Sequence, residues 1–258
     1  MYPVLIKFGQ VTVHTYGFLV ATAFLVALWL AVKQARRTGI PDDKIVDLAF
    51  YVLLAAIAGS RLFFILTNWS YFAAHPLNVV KIWEGGLVFY GGVILALPVA
   101  VWYAGKSGLS FLDIADVWAP PAAIAHAIGR LGCFCAGCCY GRPADGLPWA
   151  VVFSDPRSLA VKGVPLHPSQ LYESAGEFVN FLILIALRRR QSFRGQLFWV
   201  YLMNYSVIRS AVEIFRGDEV RGFLIPGVSI SQGISVAIFI TSAVVLFSLG
   251  MRARAGGR

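Results

Sequence analysis

The sequence predicts an all-α integral membrane protein of about seven transmembrane helices, N-terminus outside and C-terminus in the cytoplasm. Three observations carry this. Of its 258 residues 58% are hydrophobic and 14% charged, where a soluble domain carries about 25% charged residues. The apolar residues form long uncharged runs, Tyr16–Val32, Gly85–Gly105 and Gly222–Met251, close to the roughly 20 residues that a bilayer span needs. The basic residues, finally, crowd alternate connections between these runs.

In chain order the expected spans are 14–33, 45–67, 84–105, 113–135, 170–187, 195–215 and 227–250. The fourth, fifth and sixth are the most interrupted by polar residues. Together they make a single polytopic domain over 1–258, with a short external loop at 141–168. The opening "MYPVLIKFGQVTVHTYG" has neither a basic n-region nor a small-residue cleavage site, so no cleaved leader is expected. The first cysteine is Cys133, so the chain is not expected to be a lipoprotein itself.

The charge pattern sets the orientation. Lys33, Arg36, Arg37 and Lys44 flank the first connection, Lys106 lies in the third, Arg188, Arg189, Arg190 and Arg194 fill the fifth, and Arg252, Arg254 and Arg258 form the tail. These are twelve of the 22 basic residues; the opposite side holds seven: Lys7, Lys81, Arg142, Arg157, Lys162, Arg216 and Arg221. The richer side is cytoplasmic by the positive-inside rule. The net charge of +9 is thus a topology signal with attraction to anionic lipid, and no nucleic-acid partner is expected.

Three arginines interrupt the spans: Arg61, Arg130 and Arg209. Each costs about 2.5–3.5 kcal/mol at a helix centre, and three together on the order of 8–10 kcal/mol. A structural reading pairs them with Asp47, Asp116 or Glu213 to hold spans together. Three in one small protein favour a shared site for an anionic group. In the sixth span Tyr205, Arg209, Glu213 and Arg216 are spaced by four, four and three, so they share one helix face, which is expected to point into the bundle or a polar cavity. In "WEGGLVFYGGVILALPVAVW" the pairs Gly85–Gly86 and Gly91–Gly92 bracket Tyr90. They read either as close helix packing or as bare backbone beside a ligand, and the two readings are compatible.

The stretch "HAIGRLGCFCAGCCYG", from His126 to Gly141, holds all four cysteines: Cys133, Cys135, Cys138 and Cys139. Cys135-x-x-Cys138 has redox-pair spacing but lacks the βαβ context of a thioredoxin motif. Four cysteines can bind zinc, but two adjacent thiols are a poor match to two separated pairs. A disulfide is conceivable on an oxidising face. The favoured reading makes them small buried side chains in a glycine-rich turn, with Arg130, Gly132, Gly137 and Gly141 carrying the function.

These blocks resemble the bacterial prolipoprotein diacylglyceryl transferases. "GRLGCFCAGCCYG", Gly129 to Gly141, resembles the family signature; "HTYG" at His14–Gly17, "AGSRLFF" around Arg61, "WEGGLVFYGG", "HPSQLYE" at His167–Glu173 and "RSAVEIFRGD" resemble its other motifs, in the family's order over almost the whole chain. The resemblance implies transfer of the diacylglyceryl group of phosphatidylglycerol to the lipobox cysteine of a prolipoprotein signal peptide, forming a thioether and releasing glycerol phosphate. It implies a multi-pass protein of the bacterial inner membrane, a site facing the outer leaflet and periplasm, and no metal or cofactor. It further implies site positions at Tyr16, Arg61, Gly86, Gly91, Gly92, Gly129, Gly132, Cys133, Gly137, Gly141, His167, Gln170, Tyr172, Glu173, Tyr205 and Arg216.

The residues fit that chemistry. A thiol displaces a phosphate from carbon, so the enzyme must hold an anion and stabilise charge on the leaving oxygen. Arginine stays charged and binds phosphate bidentately. Arg130 and Arg209 are therefore the expected phosphate clamp, with Glu213 orienting Arg209. In two places the chain departs from the family. Tyr90 stands where many members have histidine; tyrosine, with a reference pKa of about 10, is a poor base, so Tyr90 is expected to donate a hydrogen bond. Cys133 stands where many have asparagine. In "LHPSQLYE", Ser169 is expected to cap the fifth span, with Gln170, Tyr172 and Glu173 facing the site.

Three other readings remain: a carrier or channel, for which no internal repeat is visible; a membrane redox or metal protein using the cysteines; and a paralogue with another lipid donor or thiol acceptor.

Overall fold

The structure is a computed structural model describing residues 2–9, 11–82, 85–216, 223–225 and 228–256. Trp83 and Glu84 of the third-span motif, Gly217 and Asp218 of the last motif, and Arg221 and Arg258 lie outside the described residues.

The order is β1 (Val4–Phe8), β2 (Val11–His14), α1 (Thr15–Thr38), α2 (Asp42–Thr67), α3 (Trp69–Ala74), α4 (Phe89–Lys106), α5 (Phe111–Ala136), β3 (Val151–Val152), β4 (Pro165–Leu166), α6 (Ser169–Leu187), α7 (Gln196–Glu213), β5 (Phe223–Ile225), β6 (Val228–Ser229) and α8 (Ile230–Gly256). Short 3-10 turns occupy Pro76–Val80 and Arg188–Arg190. Four helices are long and apolar enough to cross a membrane: α1, α2, α4 and α8. Helices α5, α6 and α7 have the length, but polar residues dilute their apolarity.

The chain is mostly helical but not wholly so. Among the described residues three short antiparallel strand pairs, β1–β2, β3–β4 and β5–β6, accompany the helices. The first is written locally: β-branched residues flank the turn, where Gly9 takes a left-handed φ of 55°. The third predicted span also begins late, at Phe89 rather than residue 84. Gly85 and Gly86 have φ of 89° and 77°, a conformation no α-helix contains.

The chain divides into two compact units, Ala31–Ile114 and Met1–Leu30 with Ala115–Arg258. In the first, α2 packs on α4 backbone to backbone. A methyl added at Gly59 would collide with the Gly91 carbonyl, one at Gly91 with the Gly59 carbonyl and Phe63, and one at Gly92 with Ser60 and Ala56. Small residues that let membrane helices approach gain packing where no hydrophobic force acts between helices. Arg61 of α2, only 8% exposed, donates from Nε to Val79 O at 2.9 Å and from Nη1 to Gly85 O at 2.8 Å and Gly86 O at 3.2 Å, and from Nη2 to Asn78 O. Phe64 and Phe72 flank its guanidinium at 5.6 and 5.3 Å. Arg61 therefore holds Asn78, Val79, Gly85 and Gly86 through their carbonyls, and among the described residues no carboxylate of the kind the structural reading supplied bonds it.

In the second unit α6 lies against α7, and Ala119, Ala123, Leu184 and Leu197 form a core cluster of α5, α6 and α7. Asp116 of α5 accepts hydrogen bonds from Gly195 N at 2.5 Å, Phe198 N at 2.9 Å and Gln191 Nε2 at 2.6 Å. It thus satisfies orphan donors at the start of α7, where a negative charge is also favoured by the helix dipole. The loop between α5 and α6 has its own core of Phe153, Ala160 and Leu166, covered by Phe134, Tyr140, Val151 and Val164. On its surface Asp155 accepts from the Arg157 side chain and backbone, bonds that hold its carboxyl down at about 2.

Gly91→Ala should lower the midpoint of thermal unfolding in detergent by the equivalent of about 1–3 kcal/mol, the usual cost of overpacking. Gly105→Ala, whose methyl would meet nothing within 4 Å, should not lower it.

Candidate functional site

Three helices of the second unit bring a polar cluster into its interior. Periodicity places the side chains. His126 and Arg130 are four apart on α5; Glu173, Glu177 and Asn180 are four and three apart on α6; Tyr205, Arg209 and Glu213 are four apart on α7. Each set occupies one helix face. The Ser174 hydroxyl donates to Ala127 O at 2.8 Å, which fixes α6 against α5 at this level.

Arg130 is the hub. Its Nη2 donates to Glu173 Oε1 at 2.7 Å and its Nε to His126 Nε2 at 3.3 Å. The Glu173 side chain is 1% exposed. His126 is bracketed by two acids, with Nε2 3.3 Å from Glu173 Oε1 and Nδ1 3.9 Å from Glu177 Oε1. A hydrogen-bond chain runs on from Asn204 Nδ2 to Asn180 Oδ1 at 3.0 Å and from Asn180 Nδ2 to Glu177 Oε2 at 3.3 Å. The Tyr205 ring lies 5.7 Å from the His126 ring.

Arg209 is buried, 5% exposed, and its Nη2 lies 2.5 Å from Glu213 Oε2, one turn along the same helix. The pair is close but not aligned: neither Arg209 Nη1, Nη2 nor Glu213 Oε2 has a hydrogen-bond partner among the described residues. Buried donors are almost always bonded. An arginine left with open donors is equipped for an acceptor that arrives from outside. Glu173 lies within electrostatic range of Arg209 as well as of Arg130, so the two cations serve one polar interior.

The other expected site residues in this unit have the following surroundings. Gly129 faces open space, with nothing within 4 Å of where a methyl would stand. Gly132 leaves room for the Tyr16 ring, 3.2 Å from that position. Gly137, at φ 78°, ends α5, and Gly141 passes so close to Phe215 O and His167 that no side chain fits. His167, Tyr172 and Phe215 form an aromatic group with centroids 5.3 to 6.1 Å apart, and Trp149 Nε1 donates to the Tyr172 hydroxyl at 2.8 Å. Gln170 Nε2 donates to Cys138 O at 2.7 Å. Ser169 does not cap α6: its hydroxyl donates to Cys139 O at 2.9 Å, and the N-cap position is Pro168, without a side-chain bond. Arg216 is half-buried beyond the end of α7.

The remaining expected residues belong to the first unit. Arg61 is consumed by loop carbonyls, Gly86 lies against the Phe64 ring, and Gly91 and Gly92 are filled by α2. Tyr90 is 61% exposed, at the start of α4.

His126, Glu177, Asn180 and Asn204 were not among the expected site residues. A signal for three of them existed: His126, Glu177 and Asn180 are polar residues in apolar spans, on the same helix face as a residue that was chosen, whereas Asn204 lies off the Tyr205–Arg209–Glu213 face.

Glu173→Gln leaves Arg130 buried without its counter-charge and should destabilise the protein by about 3–5 kcal/mol. The drop is read as the thermal midpoint in detergent, and His126→Gln, which keeps the Arg130–Glu173 pair, should cost less.

Comparisons with known proteins identify the family. The chain is 34% identical over 250 residues to the phosphatidylglycerol–prolipoprotein diacylglyceryl transferase of Bacillus cereus, covering 94% of this chain and 90% of the relative. It is 36% identical to the protein of that name from Geobacter sulfurreducens, covering 92% and 91%, and 30% identical to that from Bacillus velezensis, covering 99% and 95%. The profile of the prolipoprotein diacylglyceryl transferases matches residues 3–248, and the chain belongs to that family.

Proposed function

We propose that this multi-pass membrane protein transfers the diacylglyceryl group of phosphatidylglycerol to the lipobox cysteine thiol of a prolipoprotein signal peptide. The observation that carries the reading is Arg209, a buried guanidinium with open donors, in the same polar interior as Arg130 and within a family whose relatives bear that name.

In this reaction the thiol sulfur bonds to the glyceryl carbon, the bond from that carbon to the phosphate oxygen breaks, and glycerol phosphate leaves. The thiol proton departs to a base or to the leaving phosphate. Arg130 and Arg209 hold the phosphate and stabilise the charge that grows on the leaving oxygen. Preorganised charge in a water-poor site is usually the largest catalytic term. Glu173 positions Arg130, and Glu213 positions Arg209. The open space beside Gly129 gives the headgroup room next to Arg130. Tyr90 donates a hydrogen bond to the phosphate or ester oxygens.

The family match over residues 3–248 supports one membrane domain over 1–258. The polar helices α5, α6 and α7 cross the bilayer as α1, α2, α4 and α8 do, giving seven crossings in the inner membrane. The excess of basic residues at 33–44, 106, 188–194 and the tail puts the C-terminus in the cytoplasm. Arg130 and Arg209 then lie toward the outer leaflet, with the 141–168 loop on that side.

The test uses purified protein, phosphatidylglycerol and a lipobox peptide, with thioether product followed by mass spectrometry. Wild type should form product, and Arg130→Ala and Arg209→Ala should each lower turnover about 100- to 1000-fold, the usual cost of losing one such donor. Undiminished turnover in Arg209→Ala would remove the clamp; no product from folded wild type would point to another donor or acceptor. In the same assay Tyr90→Phe should slow turnover and Tyr90→His should keep it; an inactive histidine variant would exclude the hydrogen-bonding role.

A further inference from the structure

The family resemblance implies no metal, yet the end of α5 gathers three thiols. The Sγ atoms of Cys133, Cys138 and Cys139 all lie within 4.8 Å of one another. The convergence follows from the way the helix stops. Gly137, left-handed at φ 78°, donates to Phe134 O at 3.2 Å, and Cys138 N donates to Cys133 O at 3.1 Å. That pair of bonds is the Schellman motif, in which the side chains three positions before and two positions after the cap are brought into contact. Here those two residues are Cys133 and Cys138. Cys139 then takes φ 60°, the only positive value outside glycine among the described residues. A non-glycine residue in that region is held there at a cost, and here the turn swings the third sulfur back onto the first two. Cys139 is pinned from behind by Ser169, whose hydroxyl bonds its carbonyl, as Gln170 does for Cys138.

We propose that Cys133, Cys138 and Cys139 form a trithiolate site for a thiophilic d10 metal ion, zinc(II) with a fourth ligand from water. Zinc–sulfur bonds of about 2.3 Å in tetrahedral geometry separate the sulfurs by about 3.8 Å, so small side-chain rotations close the site. Three thiolates with one divalent ion carry a net charge of −1. Arg130 and Arg216 both act electrostatically on Cys139 and offset it. Cys135 is not among the converging thiols and takes no part. Three thiol protons are released on binding, so affinity falls as the pH is lowered.

The site has a reason to lie here. Ser169 and Gln170 tie the turn after α5, which carries Arg130, to the N-terminus of α6, which carries Glu173. A metal on the three thiols stiffens that turn and so holds the carbonyls that these two side chains bond.

The test is made on the full-length protein in detergent, purified without chelator, loaded with zinc(II) and then dialysed. Metal is counted by mass spectrometry. Wild type and Cys135→Ser should each keep about one zinc per chain, while Cys133→Ser, Cys138→Ser and Cys139→Ser lose it. Cobalt(II) in the wild type should give a thiolate-to-metal charge-transfer band, a readout that does not depend on the variants folding. The proposal is overturned if wild type retains no more zinc than the triple serine variant. Equal loss in Cys135→Ser, no charge-transfer band, or a disulfide among the three thiols in the freshly purified protein would overturn it too.

Discussion

Arg130 and Glu173 form a largely buried ion pair, and the surrounding structure is arranged around that fact. Removing a carboxylate or guanidinium from water costs several kcal/mol per ion even after relaxation. The pair at 2.7 Å recovers part of this, and further bonds must supply the rest. His126 takes the Arg130 Nε–H, Ser174 fixes the helix spacing, and Asn180 with Asn204 extends the polar chain to Glu177. An apolar replacement of such a pair often gives equal or greater stability. The cluster is therefore poorly explained as a device for holding helices together and well explained as a site.

The three membrane arginines illustrate three solutions to one problem. Arg61 spends four of its five N–H donors on backbone carbonyls and lies against two rings, so little is left for a ligand. Arg130 is matched by a carboxylate. Arg209 has a carboxylate in contact but out of line, and open donors remain. Ordered by satisfaction, they run from scaffold to clamp. Charge and depth alone do not separate them; what separates them is the geometry of the acceptors that each one meets.

Much of this was written in the sequence. Long apolar runs located α1, α2, α4 and α8, and the i, i+4 spacing of Tyr205, Arg209 and Glu213 placed them on one face. Arg130 stood out as a charge inside an apolar run, and the resemblance supplied Glu173 as an expected site position. What stayed hidden depended on partners distant in sequence. No local pattern says that Arg61 meets the carbonyls of residues 78–86, or that Ser169 turns to Cys139 instead of capping its own helix. Gly91 and Gly92 were ambiguous between packing and ligand approach until Gly59 appeared opposite them. The strand pairs were missed because strands of two to five residues lack a periodic signal long enough to compete with the helical ones.

The division of labour among the helices bears on how the chain enters a bilayer. α1, α2, α4 and α8 are apolar enough to leave an insertion channel one at a time. Helices α5, α6 and α7 each carry charges whose partners sit partly on another helix. Released alone, α5 would present Arg130 to lipid without Glu173, and α6 the reverse. Burying both charges is favourable only when the helices come together, so the Arg130–Glu173 pair couples the assembly of α5 with that of α6. A substitution that damages the Arg130–Glu173 pair is therefore felt in the folding of the chain as well as at the site.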